Sequence, residues 1–104
     1  MSERTAGLGA GARYRRSEKV AWRDVAGEVL LIHPARQSMY PLNRVASRIW
    51  TLLDGARDAR AVAGEVHRAF EVEEARALKD VLAFLQEMEK DGLIEGAPGV
   101  ERGA

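Results

Sequence analysis

Few side chains in this 104-residue sequence have the type and spacing that chemistry requires. His33 falls in a His-Pro turn and His67 in the middle of a helical pattern. Neither has a second histidine at i+3 or i+4, and the chain has no cysteine, so metal-ligand spacing is absent. The missing cysteine also excludes disulfides, iron–sulfur ligation and a thiolate nucleophile. Ser17, Ser38 and Ser47 stand in no G-x-S-x-G context, and no glycine-rich phosphate loop occurs. Carboxylates cluster between Glu71 and Asp91 in the pattern of a solvated helix face. Catalytic residues, metal ligands and cofactors are therefore all expected to be absent. What the chain offers is chemistry of recognition, through backbone edges, apolar surface and charge.

Charge is split. Residues 1–57 hold ten Lys/Arg against five Asp/Glu, and residues 58–104 hold six against eleven, so halves of +5 and −5 cancel. Ordinary solvated surface accounts for such a split. A sharper reading is that the basic half attracts an acidic peptide, with Arg36, Arg44 and Arg48 contributing. Nucleic acid fits poorly: residues 71–91 carry seven acidic and three basic residues, the wrong sign for a phosphate-lined groove. Arg13, Arg15, Arg16 and Lys19 form a basic cluster, but on a segment expected to be flexible. No apolar run approaches the roughly 20 residues of a membrane span, and the start has no apolar signal core. These features suit a cytoplasmic protein with no membrane partner.

The elements that must position any site follow from periodicity. Residues 1–13 and 96–104 are Gly/Ala-rich without a period and are expected to be disordered, leaving one domain over residues 14–95. Alternation at Val20 and Trp22, the apolar run Val29–Ile32, and Ser38-Met39-Tyr40 predict three short strands. Pro41 lacks an N–H, which ends the third strand or places it at a sheet edge. The period then becomes helical. Asn43 caps a first helix that Gly55 should stop, Asp58 caps a second, and a third runs from about Glu73 to Asp91, where Gly92 ends it. Trp22 and Trp50 are expected as core anchors. The fold class is α+β, with a three-stranded antiparallel sheet followed by three helices.

The third helix carries an unusually broad apolar arc. Ala75, Ala77, Leu78, Val81, Leu82, Phe84, Leu85 and Met88 spread over roughly 180° at 100° per residue, against the roughly 100° that a surface helix needs. A second helix or a second copy could cover the excess. A groove for apolar peptide side chains would use it. If the third strand is an edge, a peptide adding beside it would send alternate side chains toward that helix. The candidate peptide-binding residues are then Arg36, Ser38, Met39, Tyr40, Leu78, Val81, Leu82 and Leu85.

One series of residues recurs at a familiar spacing: Leu42-Asn43, Ile49-Trp50, Leu52-Leu53-Asp54-Gly55, Asp80-Val81, Phe84-Leu85 and Gly92-Leu93-Ile94. In this order, over roughly residues 19–95, it resembles the PqqD-like proteins, also called RiPP recognition elements. The resemblance implies a winged helix-turn-helix-like fold. It implies a peptide chaperone of natural product biosynthesis, which binds the leader segment of a ribosomally made precursor peptide by strand addition. The partner would be a modifying enzyme, such as a radical-SAM protein, that carries any cofactor; a homodimer is compatible with it. The version dedicated to pyrroloquinoline quinone synthesis has Cys before the Asp-Gly and Trp after the closing Gly. Leu53 and Leu93 stand there, so a relative serving another modified peptide is implied equally well. The alternative is a winged-helix nucleic-acid-binding or regulatory protein, and a third reading is an adaptor that binds an enzyme but no peptide.

Overall fold

The structure, a computed structural model, describes residues 9–97. The parts of the expected tails at residues 1–8 and 98–104 lie outside the described residues. In chain order the elements are β1 (Arg13–Arg16), β2 (Ala21–Val25), β3 (Glu28–His33), a 3-10 turn (Pro34–Arg36), β4 (Ser38–Pro41), α1 (Arg44–Leu52), β5 (Asp54–Asp58), α2 (Ala59–Phe70), α3 (Glu74–Lys90) and β6 (Ile94–Gly96).

The three strands anticipated from the sequence form an antiparallel sheet in the order β2-β3-β4. Ala26 and Gly27 join β2 to β3 with positive φ at both positions (53° and 86°), the pattern of a type I′ hairpin. Asp24 Oδ1 accepts the Gly27 N–H at 2.9 Å and holds that turn. One face of the sheet, through Val29, Leu31 and His33, is buried. Ser47 on α1 ties the sheet to the helices: its buried hydroxyl accepts from Val29 N (2.8 Å) and donates to the Leu42 carbonyl (3.2 Å).

Both side-chain caps form as expected. Asn43 Oδ1 accepts from Ala46 N, and Asp58 Oδ1 accepts from Ala61 N. Each satisfies an amide that the first helical turn leaves without a partner, worth about 1 kcal/mol. The buried stripe of α3 is Ala77, Val81, Leu85 and Met88, an arc of only about 80°. Of the remainder of the broad arc, Leu78, Leu82 and Phe84 are half-buried beside it and Ala75 is exposed. Gly92, with φ 75°, takes the left-handed turn that ends the helix.

A second antiparallel sheet, β5-β1-β6, was not legible in the sequence. Its strands are short and charged, and they pair over long separations: Arg15 with Asp54 and with Glu95. β1 takes in the three arginines of the basic cluster and fixes them, while Lys19 lies beyond it. Arg15 pairs with Glu95 at 3.2 Å, and the Arg13 Nε–H donates to the Ala56 carbonyl. Arg16 donates to the Trp50 and Thr51 carbonyls at 3.1 Å, closing the C-terminal end of α1, and lies 5.5 Å from the centre of the Trp22 ring. The ordered backbone also reaches before Tyr14, since Ala59 N and Arg60 N donate to the carbonyls of Ala12 and Ala10. Gly55 does not stop α1. The helix ends at Leu52 and Gly55 lies within β5 at φ 87°, because the chain turns directly into the strand that pairs with β1.

Trp50 is fully buried, but Trp22 is 41% exposed and meets Trp50 edge to face, with ring centroids 6.1 Å apart. Trp22 stands on β2, an outer strand, so one side of its ring has no neighbouring strand to cover it.

The turn into β5 has a pH signature. Asp54 Oδ1 accepts from Ala56 N and Arg57 N at 3.0 and 3.1 Å. These two backbone bonds, helped by the Arg57 guanidinium, hold its carboxyl below the usual aspartate value. Because the folded value is the lower one, its stabilising contribution is present above the unfolded pKa and is lost as pH falls through the acid range. Asp54→Asn should therefore flatten the loss of melting temperature below about pH 4 relative to the parent. Thermal unfolding from pH 6 to pH 3 checks this, and parallel curves would remove Asp54 from the account.

Candidate functional site

β4 is an outer strand, and its register decides which of its backbone groups are free. Leu30 faces Pro41, Leu31 faces Tyr40, Ile32 faces Met39 and His33 faces Ser38. The Leu42 N–H donates to the Val29 carbonyl at 2.8 Å, which marks Leu30–Pro41 as a pair without direct hydrogen bonds. Such pairs alternate with bonded ones in an antiparallel ladder. Tyr40 and Ser38 therefore bond inward to β3, while Met39 and Pro41 turn their backbone groups outward. Pro41 has no N–H. Within β4, Met39 alone presents both a donor and an acceptor to the open edge.

The side chains follow the same alternation. Ser38 and Tyr40 are half-buried on the face shared with Leu31 and His33, whereas Met39 stands with Ile32 on the outward face. The end of α3 closes one end of this edge. A Cβ placed on Gly92 would lie 3.7 Å from His33 Nε2 and 4.0 Å from Arg36 Nε. Arg36 thus sits by the negative end of the helix dipole; its carbonyl accepts from the Ser38 hydroxyl at 3.1 Å, and its guanidinium makes no hydrogen bond or ion pair among the described residues. His33 is a core-facing residue with a buried Nδ1 that has no hydrogen-bond partner among the described residues.

Arg36, Ser38, Met39 and Tyr40 are therefore brought together along one edge. The four candidates on α3 are not brought to it. Val81 and Leu85 are buried, at 0% and 2% exposure, and offer no surface to a ligand, because they form the middle of the core stripe. Leu78 turns toward α2, where it lines a recess of about 360 Å³ with Arg60, Ala63, Gly64, Glu74 and Ala75. Leu82 lies only about 40° from Leu78 on the same flank. Phe84, half-buried, lies about 120° round the helix from Leu78, on the flank turned away from that recess. It belonged to the broad apolar arc, but the sequence did not say which edge of the arc faces α2.

The three arginines also separate. Arg44 Nη1 lies 3.3 Å from a Cβ placed on Gly27, at the opposite end of β3 from Arg36. At about 3.4 Å per residue, β3 holds these ends roughly 17 Å apart. Arg44 and Arg48 line a recess of about 240 Å³ with Asp24 and Phe70, and Arg48 pairs with Glu65 at 3.5 Å. Among the described residues no three His, Cys, Asp or Glu side chains gather as metal ligands, and no helix is long and apolar enough to cross a membrane.

The family model for PqqD, coenzyme PQQ synthesis protein D, matches residues 28–94. Two solved structures are similar. One is TbiB1 in complex with the TbiA(beta) leader peptide, at 25% identity and a TM-score of 0.73, covering 82% of this chain and 99% of that one. The other is a lasso peptide synthetase B1 complexed with its leader peptide, at 20% identity and a TM-score of 0.72, covering 81% and 99%. A search of curated proteins returned no match.

Proposed function

The chain belongs to the PqqD family, and from that premise we propose that it holds the leader segment of a ribosomally synthesised precursor peptide by strand addition at β4. The observation that carries the reading is the outward-turned backbone of Met39 on an open edge closed at one end by α3. Main-chain bonds to Met39 and to the Pro41 carbonyl supply affinity, and side-chain contacts supply sequence choice. One row of leader side chains faces Ser38, Tyr40 and the α3 flank bearing Phe84. Two similar structures, by their names, hold leader peptides. The protein itself catalyses nothing. It presents the leader to a modifying enzyme, a radical-SAM protein or one of another class, in the cytoplasm.

The winged-helix nucleic-acid reading is disfavoured. The helix that would enter a groove is α3, which is acidic, and Arg13, Arg15 and Arg16 are engaged within the fold.

The test is isothermal titration of the purified chain with the leader segments of candidate precursor peptides. Saturable binding without turnover is expected. A folded protein that binds no leader would overturn the reading, and modification of the peptide by this chain alone would overturn its non-catalytic part.

Charge makes a smaller, separable contribution. Arg36 lies at the Ser38 end of the binding edge, whereas Arg44 lies beyond its Pro41 end, roughly 17 Å from Arg36 and so further from it than a Debye length of about 8–10 Å. For a leader whose acidic residues lie at the Ser38 end of the edge, Arg36→Glu should slow association more than the double reversal of Arg44 and Arg48 does. Stopped-flow association rates at 0.05 M and 0.5 M salt check this. Equal slowing by both variants would restore a single basic field across the front half.

A further inference from the structure

On its β4 side, the outward face of the β2-β3-β4 sheet is apolar where the solvent face of an antiparallel sheet is ordinarily polar. Register sets Ala21, Ile32 and Met39 side by side in one row, with Arg23, Leu30 and Pro41 in the next, so the charge on this face stands on β2, away from β4. Met39 is 64% exposed and Ile32 is 37% exposed. Outer strands usually carry charge at such positions to discourage pairing, yet β4 carries an unbranched thioether there. The row has one continuation next to Met39, which is the strand that adds to β4. Whatever the direction of that strand, its residue opposite Met39 projects onto the same face, with Cβ atoms about 5 Å apart.

We infer that the leader is recognised on both of its faces, and that its side chain opposite Met39 is apolar and packs onto Met39 and Ile32 on the outward sheet face. Met39 is then a specificity-determining residue as well as the backbone partner. Its flexible side chain suits it to apolar partners of differing shape. The bound segment is accordingly a strand with apolar residues at consecutive positions rather than an alternating amphipathic one. This inference rests on strand addition at β4.

The probe is a random 12-residue peptide library displayed on messenger RNA and selected on the full-length protein and on Met39→Glu, whose exposed side chain leaves the core untouched. Wild-type selection should enrich apolar residues at both the inward and the outward positions. Selection on Met39→Glu should keep the inward preference and replace the outward one with basic or polar residues. Wild-type peptides should bind Met39→Glu about 10-fold or more weakly, and Met39→Leu within about threefold. Outward positions that show no enrichment, or the same enrichment on both proteins, would overturn the inference while leaving strand addition standing. No enrichment at either set of positions, or full binding of the selected peptides to a folded Met39→Pro variant, would overturn strand addition itself. A dimer of the free protein that Met39→Glu dissolves would assign the face to a second copy and overturn the inference.

Discussion

Met39→Pro abolishes leader binding while leaving the domain folded: this is the expected result of titrating the variant. The argument is stereochemical. Tyr40 and Ser38 spend their amides on β3, and Pro41 has none, so the Met39 N–H is the one donor that β4 turns to the open edge. Proline there removes the donor and places its ring where the incoming strand must approach. The ladder within the protein is spared, because the lost N–H pointed away from β3. Each main-chain hydrogen bond contributes about 0.5–1.5 kcal/mol, and the steric block adds to that, so a loss of at least 30-fold is expected. Circular dichroism should match the parent. Parental affinity in the folded variant would place the leader elsewhere; the outer strand β2 is the other edge of this sheet.

The largest effect on stability is expected at Trp50. Its side chain is fully buried, meets Trp22 edge to face, and shares its cluster with Leu31, Ile49, Val62 and Leu93. Trp50→Ala removes the largest buried side chain and leaves a cavity, at a cost of about 3–5 kcal/mol. A small domain has about 5–15 kcal/mol in total, so much of the population should unfold near physiological temperature. Trp50→Phe should cost far less than its lost area suggests. The indole Nε1 is buried without a hydrogen-bond partner among the described residues, and phenylalanine removes that unpaired donor, which costs about 1–3 kcal/mol to bury. Urea unfolding of the three proteins decides the matter. An alanine variant as stable as the parent would mean that α1 is not anchored through this ring.

Side chains that act over short sequence distances were legible without the structure. Asn43 and Asp58 cap helices by reaching three residues ahead, Gly92 ends α3 through its own φ, and the apolar run Val29–Ile32 declares a strand by composition. Pro41 announced the end or the edge of a strand because a missing N–H is a property of the residue itself. The series from Leu42 to Ile94 carried the family, and with it the expectation of a leader peptide. The β5-β1-β6 sheet had no such signal. Its pairs join Arg15 to Asp54 and Glu95, and charged residues in strands of three to five residues show no period. Only the register of β4 on β3 made Met39, rather than Ser38 or Tyr40, the residue with a free backbone pair. Only packing divided the broad apolar arc of α3 into a buried stripe through Val81 and Leu85, a flank at Leu78 and Leu82 toward α2, and a flank at Phe84 turned away from it. A helical period states how wide an apolar face is; which neighbour covers each part of it depends on contacts that sequence spacing does not contain.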